Sequence, residues 1–289
     1  MAGPAGAPVK RTAFGQLGIA GSIAAVMVAC ALLAPLLAPH DPYVGMLADR
    51  LLPPSWLDGG DVRYLLGTDI LGRDVLSRLL YGARVSLLVA VAAVMLAGIV
   101  GSTIGIVAGY FGGWLDSVLM RIVDLVVSLP MILIALLVGV IAGPSLTNII
   151  IIIGFVLWSQ FARMARAETL RVRQLAFIDL ARSAGLAAPR IMLEHVLPNI
   201  AGPLLVLATL QVGTVIIMEA SLSFLGVGVP PPAPAWGTLI ADGRSYVLSA
   251  WWICIFPGLA IITTVMTANL LGDGLADRLD PARKAGGQS

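Results

Sequence analysis

Charge is scarce in this chain. Only 12% of its 289 residues are Asp, Glu, Lys or Arg, about half the share of an ordinary globular domain. A soluble surface cannot be built from so few. With 58% apolar residues and a mean hydropathy of +0.96, disordered, collagenous and coiled-coil readings fail too, and the chain reads as an integral membrane protein. A formal net charge of +2 is too small to point to a nucleic-acid partner.

Lysine is almost missing: Lys10 and Lys284 are the only two. A P-loop needs a glycine-rich turn closed by Lys and then Ser or Thr. Here Arg11 and Ala285 follow the lysines, so the chain binds no ATP in that way. Histidine is limited to His40 and His195, and no HExxH pattern is present, which removes the zinc intramembrane proteases. Neither histidine falls inside an apolar run, where a serine nucleophile would need it. Cys30 and Cys254 lie within apolar runs and read as small packing residues, not as a disulfide framework. No catalytic residue, metal ligand or cofactor is assigned to the chain, and a non-catalytic protein is expected.

What is present is apolar length. A bilayer core takes roughly 20 apolar residues per helix, and six stretches qualify, at about 14–38, 86–110, 122–143, 146–165, 200–220 and 248–272. Gly143-Pro144 leaves only a tight turn between the third and fourth. Six spans put both termini on one side. Placing them inside leaves twelve Lys and Arg inside and six outside, which favours N-in and C-in. The first run, although Met27-Val28-Ala29-Cys30 faintly resembles a lipoprotein cleavage site, reads as an uncleaved anchor because of its length and the five spans behind it. The chain then divides into a cytoplasmic tail (1–13), a first transmembrane helix (14–38), an extracytoplasmic loop with an amphipathic helix (39–85), a core of five transmembrane helices (86–275) with a cytoplasmic loop at 166–199, and a second cytoplasmic tail (276–289). Trp236, Trp251 and Trp252 cluster at the outer end of the sixth span, as headgroup anchors or as core packing.

Ionisable residues at membrane depth mark ion pathways, and here they reduce to Asp124, Glu219 and Asp273 at the ends of spans. Asp124 and Glu219 read as caps or interface residues, or as substrate contacts. With neither an ATP site nor an ion-coupling site of its own, a pump built on this chain takes its energy from a partner.

The densest signal is the loop between the fourth and fifth spans. Residues 162–174 continue the fourth span with arginines emerging. A short helix follows through Phe177, Ile178, Asp179, Leu180, Ala181, Arg182, Ser183 and Ala184 and stops at Gly185, since glycine takes the left-handed turn freely. A second helix opens at Pro189, and Leu197-Pro198 is expected to close it. The small residues allow close approach by a partner protein and Phe177, Ile178 and Leu180 supply anchors. The alternative is an amphipathic hairpin lying on the headgroups.

Asp179-Leu180-Ala181, three residues, Gly185, nine residues, then His195-Val196-Leu197-Pro198 resembles the EAA signature of ABC importer permeases, with Asp179 for Glu, Leu180 for the first Ala and His195 at the Ile position. Three further segments sharpen the likeness: Leu66 to Arg78 with Tyr81 to Leu87, Glu219 to Gly226, and Asn269 to Leu275 with Asp277 to Pro281. Together they resemble the C-type permease subunit of the dipeptide, oligopeptide and nickel ABC importers over about residues 14–283.

That resemblance implies an all-α polytopic fold of the type-I importer class with six transmembrane helices, N-in and C-in, in a bacterial inner membrane. It implies a coupling role for Phe177 to Gly185, His195, Leu197 and Pro198 against an ATPase. The implied partners are a B-type sibling permease, two P-loop ATPases or one fused ATPase that bind the ATP and Mg, an extracytoplasmic binding protein, membrane lipid and a peptide cargo. Nickel chelates or glutathione are alternative cargoes, and a self-sufficient ion-coupled carrier is the alternative class. Asp69, Arg73, Asp74, Arg78 and Glu219 fall where the family meets its binding protein or gates its path. Asp69 is expected to cap an amphipathic helix on which Asp74 and Arg78 pair at i,i+4, for docking or for packing alone. Beyond it, Pro230-Pro231-Pro232 and Pro234 stiffen a connector, part of a gate or a plain loop. Gly98, Gly101, Gly105 and Gly109 form a stripe for close helix approach, within the bundle or with a sibling permease, or else line the substrate path.

Overall fold

The computed structural model describes residues 10–279, so the terminal portions of both expected tails lie outside the described residues. Helices carry almost all of it: α1 (Lys10–Leu32), α2 (Ala34–Leu37), α3 (Val75–Phe111), α4 (Gly113–Ser128), α5 (Met131–Ala142), α6 (Leu146–Val172), α7 (Ala176–Ser183), α8 (Ala188–Ile191), α9 (Leu197–Phe224), α10 (Trp236–Gly243) and α11 (Trp252–Leu279). Among the described residues there is no strand beyond one isolated bridge, Thr68 to Asp74.

The core is the pairing of α3 with α6, and glycine makes it possible. A methyl group at Gly101 would overlap the carbonyl of Trp158 and lie 2.7 Å from Phe161 Cβ; one at Gly105 would lie 2.7 Å from Ala165 Cβ, and one at Gly109 2.8 Å from Thr169 Cβ. The glycine stripe is therefore a helix–helix seam within the chain. Without a hydrophobic drive between helices in lipid, close backbone approach is what holds them together. Small buried residues (Ala90, Ala93, Ala97, Ala162, Ala165) and the larger Ile153, Leu157 and Phe161 fill the same seam. Helix α9 packs on α3 and α11, and α1 lies across α11 and α3.

Four helical rods are long and apolar enough to cross a membrane: α3, α6, residues 188–224 and α11. The stretch expected as a third span, 122–143, is not one helix. It is α4 and α5, bent by 86°. Pro130 is the cause. It lacks an N–H and forces the preceding residue out of the helical region, and Leu129 is extended at φ −93°, ψ 141°. If the bent pair is one span, the count is five; α1 carries the apolar stretch Leu17–Leu32 and ends at Leu33, ahead of Pro35.

Two other boundaries differ from expectation. The amphipathic segment before the second span is not a separate surface helix but the beginning of α3, whose 37 residues reach about 55 Å, nearly twice a hydrocarbon core. And Leu197-Pro198 closes nothing: residues 188–224 run as one rod. A π turn at Met192–Val196 admits the proline, with Leu197 N–H bonded five residues back to Met192 O. Such a turn widens the backbone where Pro198 has no hydrogen to give.

Candidate functional site

Three clusters stand along α3. At its C-terminal end lies the hairpin of α7 and α8. Gly185 at φ +80° closes α7 with two back-bonds, Gly185 N–H to Arg182 O (3.0 Å) and Leu186 N–H to Ala181 O (3.2 Å), the Schellman pattern that a left-handed residue permits. Ile178 and Ala181 turn inward and are buried, whereas Leu180 is 70% exposed. Phe177, Asp179, Ser183, Ala184 and Gly185 are exposed beside it. His195, at the π turn, stacks on Phe177 with ring centroids 6.5 Å apart, so the two ends of the signature meet in space. Leu197 is half-buried and Pro198 exposed.

Arginines whose partners the sequence did not reveal tie the hairpin to α3 and α6 to α4 and α3. Arg182 lies over the Tyr110 ring at 5.0 Å, with Nε 3.4 Å from the Tyr110 hydroxyl. Arg173 donates to Gly109 O and Tyr110 O (3.0 and 3.1 Å), satisfying the last carbonyls of α3. Arg166 grips Asp116 through two bonds of 2.5 and 2.6 Å, and Arg163 donates to Asp124 at 2.7 Å. Asp124 thus pairs across α4 and α6. The recurrence of arginine at 163 and 166 on α6 and at 173, its C-cap, was the available signal.

At the opposite end of α3 is a charged node. Asp69 accepts from Leu71 N–H (2.8 Å), Arg73 N–H (2.9 Å) and Arg73 Nε (2.7 Å), and Arg78 also donates to it. Asp74, not Asp69, caps the helix, accepting Ser77 N–H at 2.9 Å and Ser77 Oγ–H at 2.6 Å. The expected Asp74–Arg78 pair therefore does not form; Arg78 turns instead to Asp69. Asp242, from α10, approaches both arginines at 3.3–3.5 Å. Asp69, Arg73, Asp74 and Arg78 are all buried, so a protein resting on this end meets their neighbours first. In the preceding loop Arg63 donates to Asp61 at 2.9 and 2.7 Å, which holds that carboxyl below its usual value. Tyr64 donates to Asp49 at 2.8 Å, and that bond raises the phenol.

Between the clusters, Glu219 is fully buried inside α9 and belongs to no outer loop, because α9 runs on to Phe224. Ser86 and Ser223 donate to it at 3.1 and 2.7 Å, and Trp236 N–H reaches Ser86 Oγ at 3.4 Å. Trp236 is buried too, its indole N–H on Leu79 O (3.1 Å), so it packs the core and is no headgroup anchor. Trp252 donates to Thr68 O (3.0 Å). Among the described residues no three His, Cys, Asp or Glu converge as a metal site.

The described residues thus form an all-helical, multi-pass bundle with a two-helix hairpin at one end and a charged node at the other. The model of the binding-protein-dependent transport system inner membrane component matches residues 101–285, and the chain belongs to that family, whose place is the inner membrane. It is 44% identical over 259 residues to the di/tripeptide transport system permease protein DppC of Pseudomonas aeruginosa and to the dipeptide transport system permease protein DppC of Escherichia coli, covering 90% of this chain and 86% of each relative. The probable D,D-dipeptide permease DdpC of Escherichia coli is 40% identical over 92% of the chain and 87% of its own length. In fold, the chain is similar to the inward-facing MetNI methionine ABC transporter, with a TM-score of 0.56 at 18% identity, over 71% of this chain and 97% of that one.

Proposed function

We propose that this chain is one transmembrane subunit of an ATP-driven importer of di- and oligopeptides, crossing the membrane six times with both termini inside and catalysing no bond chemistry. Beside it stand a sibling permease, two P-loop ATPases or one fused ATPase holding the ATP and Mg, and an extracytoplasmic binding protein. The names of its relatives support the peptide cargo.

The observation that carries the reading is the face of α7. A membrane protein that exposes Leu180 at 70% between Asp179 and the small residues 183–185, outside its long apolar rods, presents an apolar anchor fit for another protein. ATPase closure would press on α7. The Phe177–His195 stack passes the push to the π turn and the 188–224 rod, while Arg182 and Arg173 pass it to the end of α3. The work is unequal stabilisation of inward- and outward-facing states, which requires partners that bind those states differently. At the other end, Asp69, Arg73, Asp74 and Arg78 with Glu219 form the fixed wall of the outer gate.

The test is uptake of labelled dipeptide by membranes carrying Ala181→Arg or Gly185→Pro. Arginine has no room at a buried position on Ile178, and proline cannot adopt a φ of +80°. Both are expected to abolish uptake with the subunit still inserted. Uptake at the normal rate with either would remove the coupling role from this hairpin.

A further inference from the structure

A cavity of about 480 Å³ opens at the charged end, between the α5–α6 turn at Pro144, the proline strap 229–233 and α10. Its size suits a small molecule. Its polar groups are Arg73, Arg78 and Arg244 on one side of the charge balance and Asp242 on the other, with Ser223 and Thr238 beside them. Arg244 has no carboxylate partner among the described residues; its guanidinium lies over the Phe224 ring at 5.4 Å. Arg78 is 3% exposed and its buried Nε–H has no hydrogen-bond partner among the described residues. A buried donor left unpaired is costly. Asp242 meets the two buried arginines only at 3.3 and 3.5 Å, beyond the length of a good charge-assisted bond. The site holds more guanidinium than its own carboxylates satisfy.

We propose that this cavity is a subsite for the free carboxylate of the translocated substrate, held by Arg244 with Arg73 and Arg78, while Asp242 takes the substrate's ammonium group. It rests on the peptide reading above: a dipeptide carries one carboxylate and one ammonium a few ångströms apart, and the cluster sets three guanidiniums against two carboxylates, of which Asp69 is already engaged by Arg73 and Arg78 and Asp242 is the one that faces the cavity. Planar guanidinium forks recognise carboxylates through paired bonds. Asp242 then has two effects of opposite sign. It attracts the ammonium, and by partly neutralising Arg73 and Arg78 it weakens the hold on a bare carboxylate. The proline strap, short of conformational freedom, keeps the mouth open to a ligand entering from the loop end.

The experiment uses the assembled complex in lipid nanodiscs, with acetate, glycylglycine, its C-terminal amide and N-acetylglycylglycine as probes in saturation-transfer NMR. Glycylglycine is expected to bind at least tenfold tighter than its amide. Arg244→Ala, a change at an exposed side chain with no ion pair, is expected to weaken acetate and glycylglycine at least fivefold. Asp242→Asn is expected to tighten acetate and N-acetylglycylglycine severalfold and so narrow the preference for free glycylglycine over its N-acetyl form. Equal binding of acid and amide, or acetate affinity unmoved by both substitutions, would overturn the subsite. Uptake of glycylglycine by the wild-type complex in proteoliposomes, with its binding protein, judges the cargo separately. Carboxylate-selective binding without peptide uptake leaves the subsite standing and removes peptide as cargo; peptide uptake without carboxylate selectivity removes the subsite alone.

Discussion

The two ends of α3 treat their charges in opposite ways. At the N-terminal end Arg73 and Arg78 are sealed from solvent with side chains 8% and 3% exposed, and Asp69 between them is 1% exposed. At the C-terminal end the corresponding pair, Arg182 with Asp179, is 39% and 71% exposed at 3.5 Å, and an apolar leucine stands uncovered between them. The first is buried around a carboxylate of the chain, with the Arg78 Nε–H alone left unpaired among the described residues; the second lies open. A buried pair holds the shape of one end before anything binds there, whereas an open one derives its order from what docks on it. Rigidity and receptivity are thus divided between the ends of a single helix.

The contrast can be broken most forcibly at Asp69. Asp69→Ala leaves two buried guanidiniums without their main partner, which costs about 3–5 kcal/mol; thermal unfolding in detergent should show a large fall in midpoint and little recoverable protein. An unchanged midpoint would mean the node is not sealed. Glu219→Gln is expected to be far milder, within about 1 kcal/mol, because the amide oxygen still accepts from one serine and the shape is kept; the same melting assay reads it. A fall as deep as that of Asp69→Ala would show that Glu219 works as a charge. The smallest effect on folding belongs to Leu180→Asp, within about 0.5 kcal/mol for an exposed site, but ATPase subunits should then be lost from affinity-purified complexes. Retained ATPases would close the supposed opening at that end.

What was legible in the sequence was what is local. Gly185 stops α7 because its own φ decides the matter, and the glycine stripe at 98–109 announces close approach whichever helix answers. Asp69 was read wrongly because its neighbours in sequence, not its partners in space, were available: Arg78 also approaches Asp242, 164 residues further on. The same distance hid Tyr110 from Arg182, 72 residues away. Pro130 is different. Its power to break the third apolar run was present in the residue itself, and the length of the run outweighed it. The π turn left no local mark except Pro198, which a helix end explains equally well.

That turn sets the phase of everything beyond it. Each residue of an α-helix advances the winding by about 100°, so five residues spent on a wide turn at 192–196 fix which face of the rod Glu219 and Ser223 present, up to 27 positions downstream. Were the same residues wound as regular α-helix, Glu219 would swing away from Ser86 and the tie to α3 would be lost. Deleting one residue within the turn, by contrast, converts it to α-helix and leaves the later faces where they are. Between 188 and 224 this is the one place where the chain can lose a residue without changing its address on its neighbours, and a length difference between relatives in this rod belongs there.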